Sequence, residues 1–174
     1  AGLISRKNIT SLPDSKQYYQ DIHTGIAESS PDTCFFITSA PRLHFEQSII
    51  ALNSKRDVIV EKPAFISPMQ VIHAIKTAKE NDRLLVENFM YRYTKFYQIF
   101  KRDFIKNKET ISHIEVEFLI PEFPKNSFRS NNNIHDSILY DVGSYMIDLL
   151  IDLGLPLDSL SLVDGKTVGN TVHT

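Results

Sequence analysis

Apolar residues follow two rhythms in the first half of this chain, and the rhythms alternate. Short, nearly continuous apolar runs fall at residues 33–38 (T-C-F-F-I-T), 57–63 (D-V-I-V-E-K-P) and 83–89 (R-L-L-V-E-N-F). Their length and β-branched content predict buried strands. Between them, Phe45, Ile49 and Leu52 recur at steps of four and three with Ile50 beside them, and Val71, Ile72, Ile75 and Ala78 form a second stripe. That spacing predicts helices. Ser39-Ala40-Pro41 breaks the first strand from the first helix, which ends near Lys55. Ser67 with Pro68 after it is an N-cap followed by proline at the first helical position, and this helix runs to about Asn81. Strand, helix, strand, helix, strand with short connections predicts a parallel sheet covered by helices. Upstream, residues 1–20 are polar and weakly periodic with a turn at Pro13-Asp14-Ser15, and a short helix includes Gly25 to Glu28.

The pattern changes after about Phe89. Aromatic residues crowd a basic helix over residues 90–104, with Phe96, Ile99, Phe100 and Phe104 on one side. Residues 111–120 alternate, Ile114, Val116 and Phe118 against His113, Glu115 and Glu117, which predicts a strand with one wet face in an antiparallel or mixed sheet. A long loop covers residues 121–134. A helix then runs from Asp136, its predicted N-cap, to Leu153, stopped by Gly154 and Pro156. Residues 1–89 and 90–174 therefore read as parts of two domains.

Composition narrows the function classes. The chain has 174 residues, 42% hydrophobic and 23% charged, which describes an ordinary globular protein. A net charge of -2 with interspersed signs offers no basic face for nucleic acid and no polybasic membrane patch. The single cysteine, Cys34, excludes an internal disulfide framework and a Cys-rich zinc site. With no apolar run of membrane-spanning length and no signal-type N-terminus, a reducing cytoplasm is the expected location. Asn8-Ile9-Thr10 fits the glycosylation pattern by chance, and no metal site is expected.

Candidate chemistry sits in two places. Pro63 has no N–H, cannot continue a central ladder and holds Lys62 extended. Ligands of open parallel sheets sit beyond the carboxyl ends of strands. Lys62 is then a cation aimed into a cleft; the plain alternative is a strand end with solvated ion pairs. Further along, Asp141, Tyr145, Asp148 and Asp152 line one face of the last helix at steps of four, three and four. Such a stripe is either a solvated face or a functional one. Heavy apolar flanks, and Gly143 at an interior position that costs about 1 kcal/mol relative to Ala, favour the second. Tyr145 could exchange a hydroxyl proton, and an ammonium such as Lys62 would bring its pKa down from about 10. Asp141 could accept a hydrogen bond from a substrate hydroxyl or from Lys62. The whole is dehydrogenase-like, and it requires Lys62 and Tyr145 to face one another.

Three segments resemble, in order and spacing, the signatures of the glucose–fructose oxidoreductase, inositol dehydrogenase and rhizopine-catabolism (Gfo/Idh/MocA) family. They are S-A-P-R-L-H-F-E-Q-S-I-I-A-L at 39–52, D-V-I-V-E-K-P at 57–63 and D-V-G-S-Y-M-I-D-L-L at 141–150. The resemblance covers most of residues 20–160. It implies an α/β chain, a partial Rossmann-type parallel sheet followed by part of an α/β domain with a mostly antiparallel sheet. It also implies an oxidoreductase using NAD or NADP on a sugar, nucleotide-sugar or polyol, assembled as a homodimer or homotetramer. By position, Lys62 matches the catalytic lysine, Glu61 and Pro63 the residues that fix it beside nicotinamide, and Asp141 the substrate-side aspartate. Tyr145 matches the proton-transfer residue, which is histidine in many members and tyrosine in others. Ser39, Ala40 and His44 match the cofactor side. Arg92 and Arg129, the latter in a Phe128-Arg129 pair, match substrate-side arginines.

The chain also departs from that pattern. None of its six glycines makes G-x-G-x-x-G, so the pyrophosphate turn and the acidic ribose residue are expected upstream of residue 1. The expectation is a piece of a protein roughly twice as long, binding a dinucleotide poorly by itself. His135-Asp136-Ser137 replaces the glycines usual before D-x-G, and Ala40 stands where proline is usual. Two alternatives remain: a binding or regulatory module that lost the cofactor, and glycoside cleavage through a transient ketone.

Overall fold

A computed structural model describes residues 2–5, 17–118, 138–158, 166–168 and 171–173. The chain divides into two compact units, Ala1–Asn88 and Phe89–Thr174. Among the described residues no helix is long and apolar enough to cross a membrane.

The first unit is built on parallel strands. β3 (Phe35–Ile37), β4 (Val58–Glu61) and β5 (Leu85–Asn88) form one sheet in that order, with Phe35 beside Val58 and Val58 beside Leu85. α2 (Pro41–Asn53) and α3 (Pro68–Glu80) make the two crossovers. All five elements were expected from the alternation of rhythms, and Ser67 caps α3 by accepting from the Gln70 amide. Phe35, Ile37, Val58 and Val60 point to one side of the sheet, where Ala51, Leu52 and Ala78 complete the core. Asp57 sets the start of the sheet, its carboxylate accepting from the Leu84 amide at 2.9 Å.

Two further strands precede this sheet in a stretch where none was expected. β1 (Gly2–Ile4) and β2 (Gln17–Tyr19) pair in parallel, Gly2 beside Gln17, and the Tyr18 hydroxyl donates to the Ser5 carbonyl at 2.6 Å. Three-residue strands are too short to show a period. α1 (Ile22–Glu28), capped by Asp21 accepting from the Thr24 amide, leads to β3. Ile4, Ile22 and Ile26 pack against the common core. Gly25 permits this, because a Cβ there would lie 2.6 Å from Ile4 Cδ1. The Arg56 guanidinium seals the end of α1, donating to the carbonyls of Ser30 at 2.7 Å, Ile26 at 3.1 Å and Ser29 at 3.3 Å. The expected stripe of α3 is corrected. Ala74, Thr77 and Ala78 are its buried residues, while Val71, Ile72 and Ile75 are exposed. The period was right but the face was not, since small side chains let α3 lie close to α2.

In the second unit, a 3-10 turn (Met90–Tyr93) leads to Thr94, which caps α4 (Lys95–Asn107) by accepting from the Tyr97 amide. The expected continuous helix from residue 90 is thus interrupted. Its buried residues are Tyr97 and Phe104, seven apart, and Phe96 is 84% exposed. Residues 111–118 form no strand, correcting the alternation reading. Alternating polarity needs a ladder partner, and among the described residues none pairs with this stretch. The last helix is two, α5 (Ile138–Asp141) and α6 (Gly143–Asp152), broken at Val142. Gly143 therefore opens a helix instead of interrupting one. The stop is as expected: Gly154 takes φ 67°, and the Leu155 amide donates to Leu150 O at 3.0 Å in a Schellman-type closure. β6 (Lys166–Val168) and β7 (Thr171–His173) pair antiparallel. Phe128, Arg129 and the predicted cap Asp136 lie outside the described residues, as does Asn8-Ile9-Thr10.

Candidate functional site

The first unit gathers six of the predicted residues, Ser39, Ala40, His44, Glu61, Lys62 and Pro63, at the carboxyl ends of β3 and β4 or just past them. Glu61 ends β4, and its carboxylate accepts from Asn88 Nδ2 of the neighbouring strand at 2.6 Å. Lys62 follows, joined to Pro63 by a cis peptide bond. Immediately after, the Ala64 amide donates to Glu87 Oε1 at 2.8 Å, so β5 anchors the chain on the far side of the proline. Asn88 and Glu87 were not anticipated as partners; register across two parallel strands, invisible in sequence, brings them there.

From the other side, Ser39 and Ala40 connect β3 to α2. Ala40 is the N-cap of α2 and offers no side-chain bond, while Pro41 stands in the first helical turn. Ser39 Oγ donates to Gln47 Oε1 at 2.7 Å. His44 is only 1% exposed, with Nε2 2.8 Å from Ser39 O and Nδ1 3.0 Å from Pro63 O. One ring thus spans the exits of two strands. A parallel-sheet carboxyl edge beside a 13-residue helix whose start has no side-chain cap suits a phosphorylated or polar ligand. A shallow depression lined by Asp57, Lys79, Asp82 and Arg83 lies instead at the amino ends of β4 and β5. Its ion pair is long, 4.0 Å from Arg83 to Asp57, and we attach no chemistry to it.

The second unit places Asp141 and Tyr145 on either side of the helix break. Ser144 Oγ and the Tyr145 amide bond back to the carbonyls of Asp141 and Val142, at 3.1 Å each. The Tyr145 ring stacks on Phe118 at 5.3 Å and meets Phe89 edge-on at 5.8 Å, with Tyr91 at 6.0 Å.

Asp148 and Asp152, the rest of the predicted stripe, belong to a different arrangement. Arg92 holds Asp148 through Nε at 2.9 Å and Nη2 at 2.5 Å, and its Nη1 lies 3.3 Å from Asp152. Tyr91 donates to Asp148 at 2.7 Å, Tyr97 to Asp152 at 2.5 Å and Lys101 to Asp152 at 2.8 Å. All three guanidinium nitrogens of Arg92 therefore face carboxylates of α6, which makes it a clamp on that helix. Burial opposes ionisation of Asp152, but the bonds from Lys101 and Tyr97 and the charge of Arg92 outweigh it and hold the carboxyl below its usual range. Burial first, and then the carboxylates beside them, push the Tyr91 and Tyr97 phenols well above theirs. Tyr91, Tyr97 and Lys101 were missed. The signal was available only as the spacing of Tyr91-Arg92 and Lys101 along two helical segments.

The family model described as an oxidoreductase family with an NAD-binding Rossmann fold matches residues 8–89. No curated protein matches the chain. Among solved structures, a Klebsiella pneumoniae protein classed as an oxidoreductase is similar over 90% of this chain and 43% of its own, with 21% identity and a TM-score of 0.65. The probable oxidoreductase yhhX is similar over 88% of this chain and 45% of its own, at 18% identity and a TM-score of 0.64. A Bacteroides fragilis protein also classed as an oxidoreductase covers 62% and 33%, at 18% identity and a TM-score of 0.52. At these identities the likeness is one of fold, and the chain spans less than half the length of each of these structures. Residues 8–89, with their parallel strands and the intact E-K-P turn, match the Gfo/Idh/MocA oxidoreductase family with an NAD-binding Rossmann fold, over a little under half of the chain.

Proposed function

We propose that the intact protein is an NAD(P)-dependent oxidoreductase that moves a hydride between nicotinamide and a carbinol or carbonyl carbon of a sugar, nucleotide-sugar or polyol. Residues 1–89 are then the later part of the dinucleotide-binding domain, and residues 90–174 the opening part of the substrate and oligomerisation domain. The observation that carries this reading is the fixing of Lys62 at the end of β4, between His44 on one side and the Ala64–Glu87 bond on the other.

Ser39, Ala40, His44, Glu61, Lys62 and Pro63 would hold the nicotinamide side of the cofactor. When bound, the nicotinamide ring accepts or supplies the hydride. Tyr145 Oη takes the hydroxyl proton as the carbinol is oxidised and returns it in the reverse direction. Lys62 favours the phenolate that forms and donates to the substrate oxygen. Asp141 accepts from a neighbouring substrate hydroxyl and orients it. Arg129 binds on the substrate side. Arg92, tied to Asp148 and Asp152, acts by positioning α6.

The test uses the intact protein. Enhanced and blue-shifted NAD(P)H fluorescence on binding, with turnover of one member of a sugar and polyol panel, is the expected result. Binding without turnover would favour the regulatory module, and no binding at all would remove the oxidoreductase reading. The same reading carries a cytoplasmic homodimer or homotetramer, checked by light scattering of the intact protein.

A further inference from the structure

We propose that Glu87 is a positioning residue for Lys62, its carboxylate drawing the chain back toward β5 just past β4 and so setting where the ammonium stands. Register makes the bend necessary. Val60 lies level with Glu87, and Glu61 with Asn88, across the two parallel strands. Continued strand would carry Ala64 about 13 Å beyond Val60, further than a glutamate side chain spans. The Ala64 amide nevertheless donates to Glu87 Oε1 at 2.8 Å. The chain therefore turns toward β5 between Glu61 and Ala64, and Lys62 stands in that turn.

Backbone chemistry gives this bond its leverage. Pro63 has no N–H, so Ala64 carries the first backbone donor after Lys62, and Glu87 takes it. On the near side of Lys62, Glu61 accepts from Asn88 Nδ2 at 2.6 Å. Adjacent residues of β5 thus hold the chain before and after Lys62. Glu87 itself is exposed and lies outside the apolar core, so truncating it opens no cavity. A carboxylate that accepts from a backbone amide is also an ordinary way to finish a strand; what sets this one apart is the residue it brackets. The inference rests on the proposed role of Lys62, and its test separates the two.

Turnover by the intact protein is measured in a double-mutant cycle of Glu87→Ala and Lys62→Met. Glu87→Gln, whose amide oxygen still accepts from Ala64, is measured beside it. Glu87→Ala should lower kcat about tenfold, the loss expected for one charge-assisted bond, and Glu87→Gln should recover most of it. In the Lys62→Met background, Glu87→Ala should change kcat by less than about twofold, because the group it positions is gone. The same loss in both backgrounds would assign Glu87 to holding the fold alone and overturn the inference. So would a Glu87→Ala protein as fast as wild type, or a Glu87→Gln protein as slow as Glu87→Ala. Should Glu87→Ala not fold, Glu87→Asp, one methylene too short for the bond, takes its place in the cycle. A wild type without turnover, or a Lys62→Met protein as active as wild type, removes the proposed function and this inference with it.

Discussion

Arg92 grips Asp148 with two parallel bonds, Nε to Oδ2 at 2.9 Å and Nη2 to Oδ1 at 2.5 Å, while Asp148 is almost fully buried on α6. This is the fork geometry that an ammonium cannot reproduce. The third nitrogen reaches Asp152 one turn further on. A single side chain from the 3-10 turn thereby fixes the helix that carries Tyr145.

Removing the fork should therefore destabilise the second unit. Arg92→Ala leaves Asp148 with only the Tyr91 hydroxyl among the bonds described, and the expected loss is about 2 kcal/mol, moderated by partial exposure of the guanidinium. Arg92→Lys should recover only part of it. Urea unfolding of the intact protein and both variants measures this. An Arg92→Ala protein as stable as wild type would remove the clamp.

Acid and base should act on the same cluster with opposite signs. The Asp152 carboxyl is held below the usual 3.8 of an aspartate, so its contribution is complete above that pH and disappears as pH falls through the lowered native value. Tyr91 and Tyr97 are raised above 10, so their contribution is complete below that pH and fades as pH rises through the raised values. Melting temperatures of wild type and Asp152→Asn across pH check the acid limb. The two curves should converge in acid and separate above pH 4. Parallel curves would contradict it.

The face of α3 offers a test of packing. Ile72 is 61% exposed, whereas Ala78 is 5% exposed within the core. Ile72→Glu should change stability by no more than about 0.5 kcal/mol, and Ala78→Leu should cost about 1–3 kcal/mol through overpacking. The opposite ranking in thermal unfolding would restore the face that periodicity suggested.

That contrast shows what the sequence could disclose. Strand-forming runs such as V-I-V at residues 58–60 and capping pairs such as Ser67-Pro68 carry their structure locally, and each formed where expected. Which side of α3 turns inward depends on how closely α2 approaches, a property of two elements together. β1 and β2 were unreadable because three residues show no period, and residues 111–118 alternate without a described partner. At the candidate site, motif order alone pointed to Lys62, Glu61 and His44, and the fold brings them together at the ends of β3 and β4. The Asn88 and Glu87 anchors follow from register, and the diversion of Arg92, Asp148 and Asp152 into one ion cluster follows from tertiary packing.

The decisive comparison is turnover by the intact protein and its Lys62→Met variant, with cofactor binding measured separately by NAD(P)H fluorescence. Lys62→Met should fold and still bind the cofactor through the remaining contacts, yet lose roughly a hundredfold or more in turnover. A variant that binds the cofactor and oxidises or reduces the substrate at the wild-type rate would show that the ammonium at the end of β4 takes no part in the chemistry.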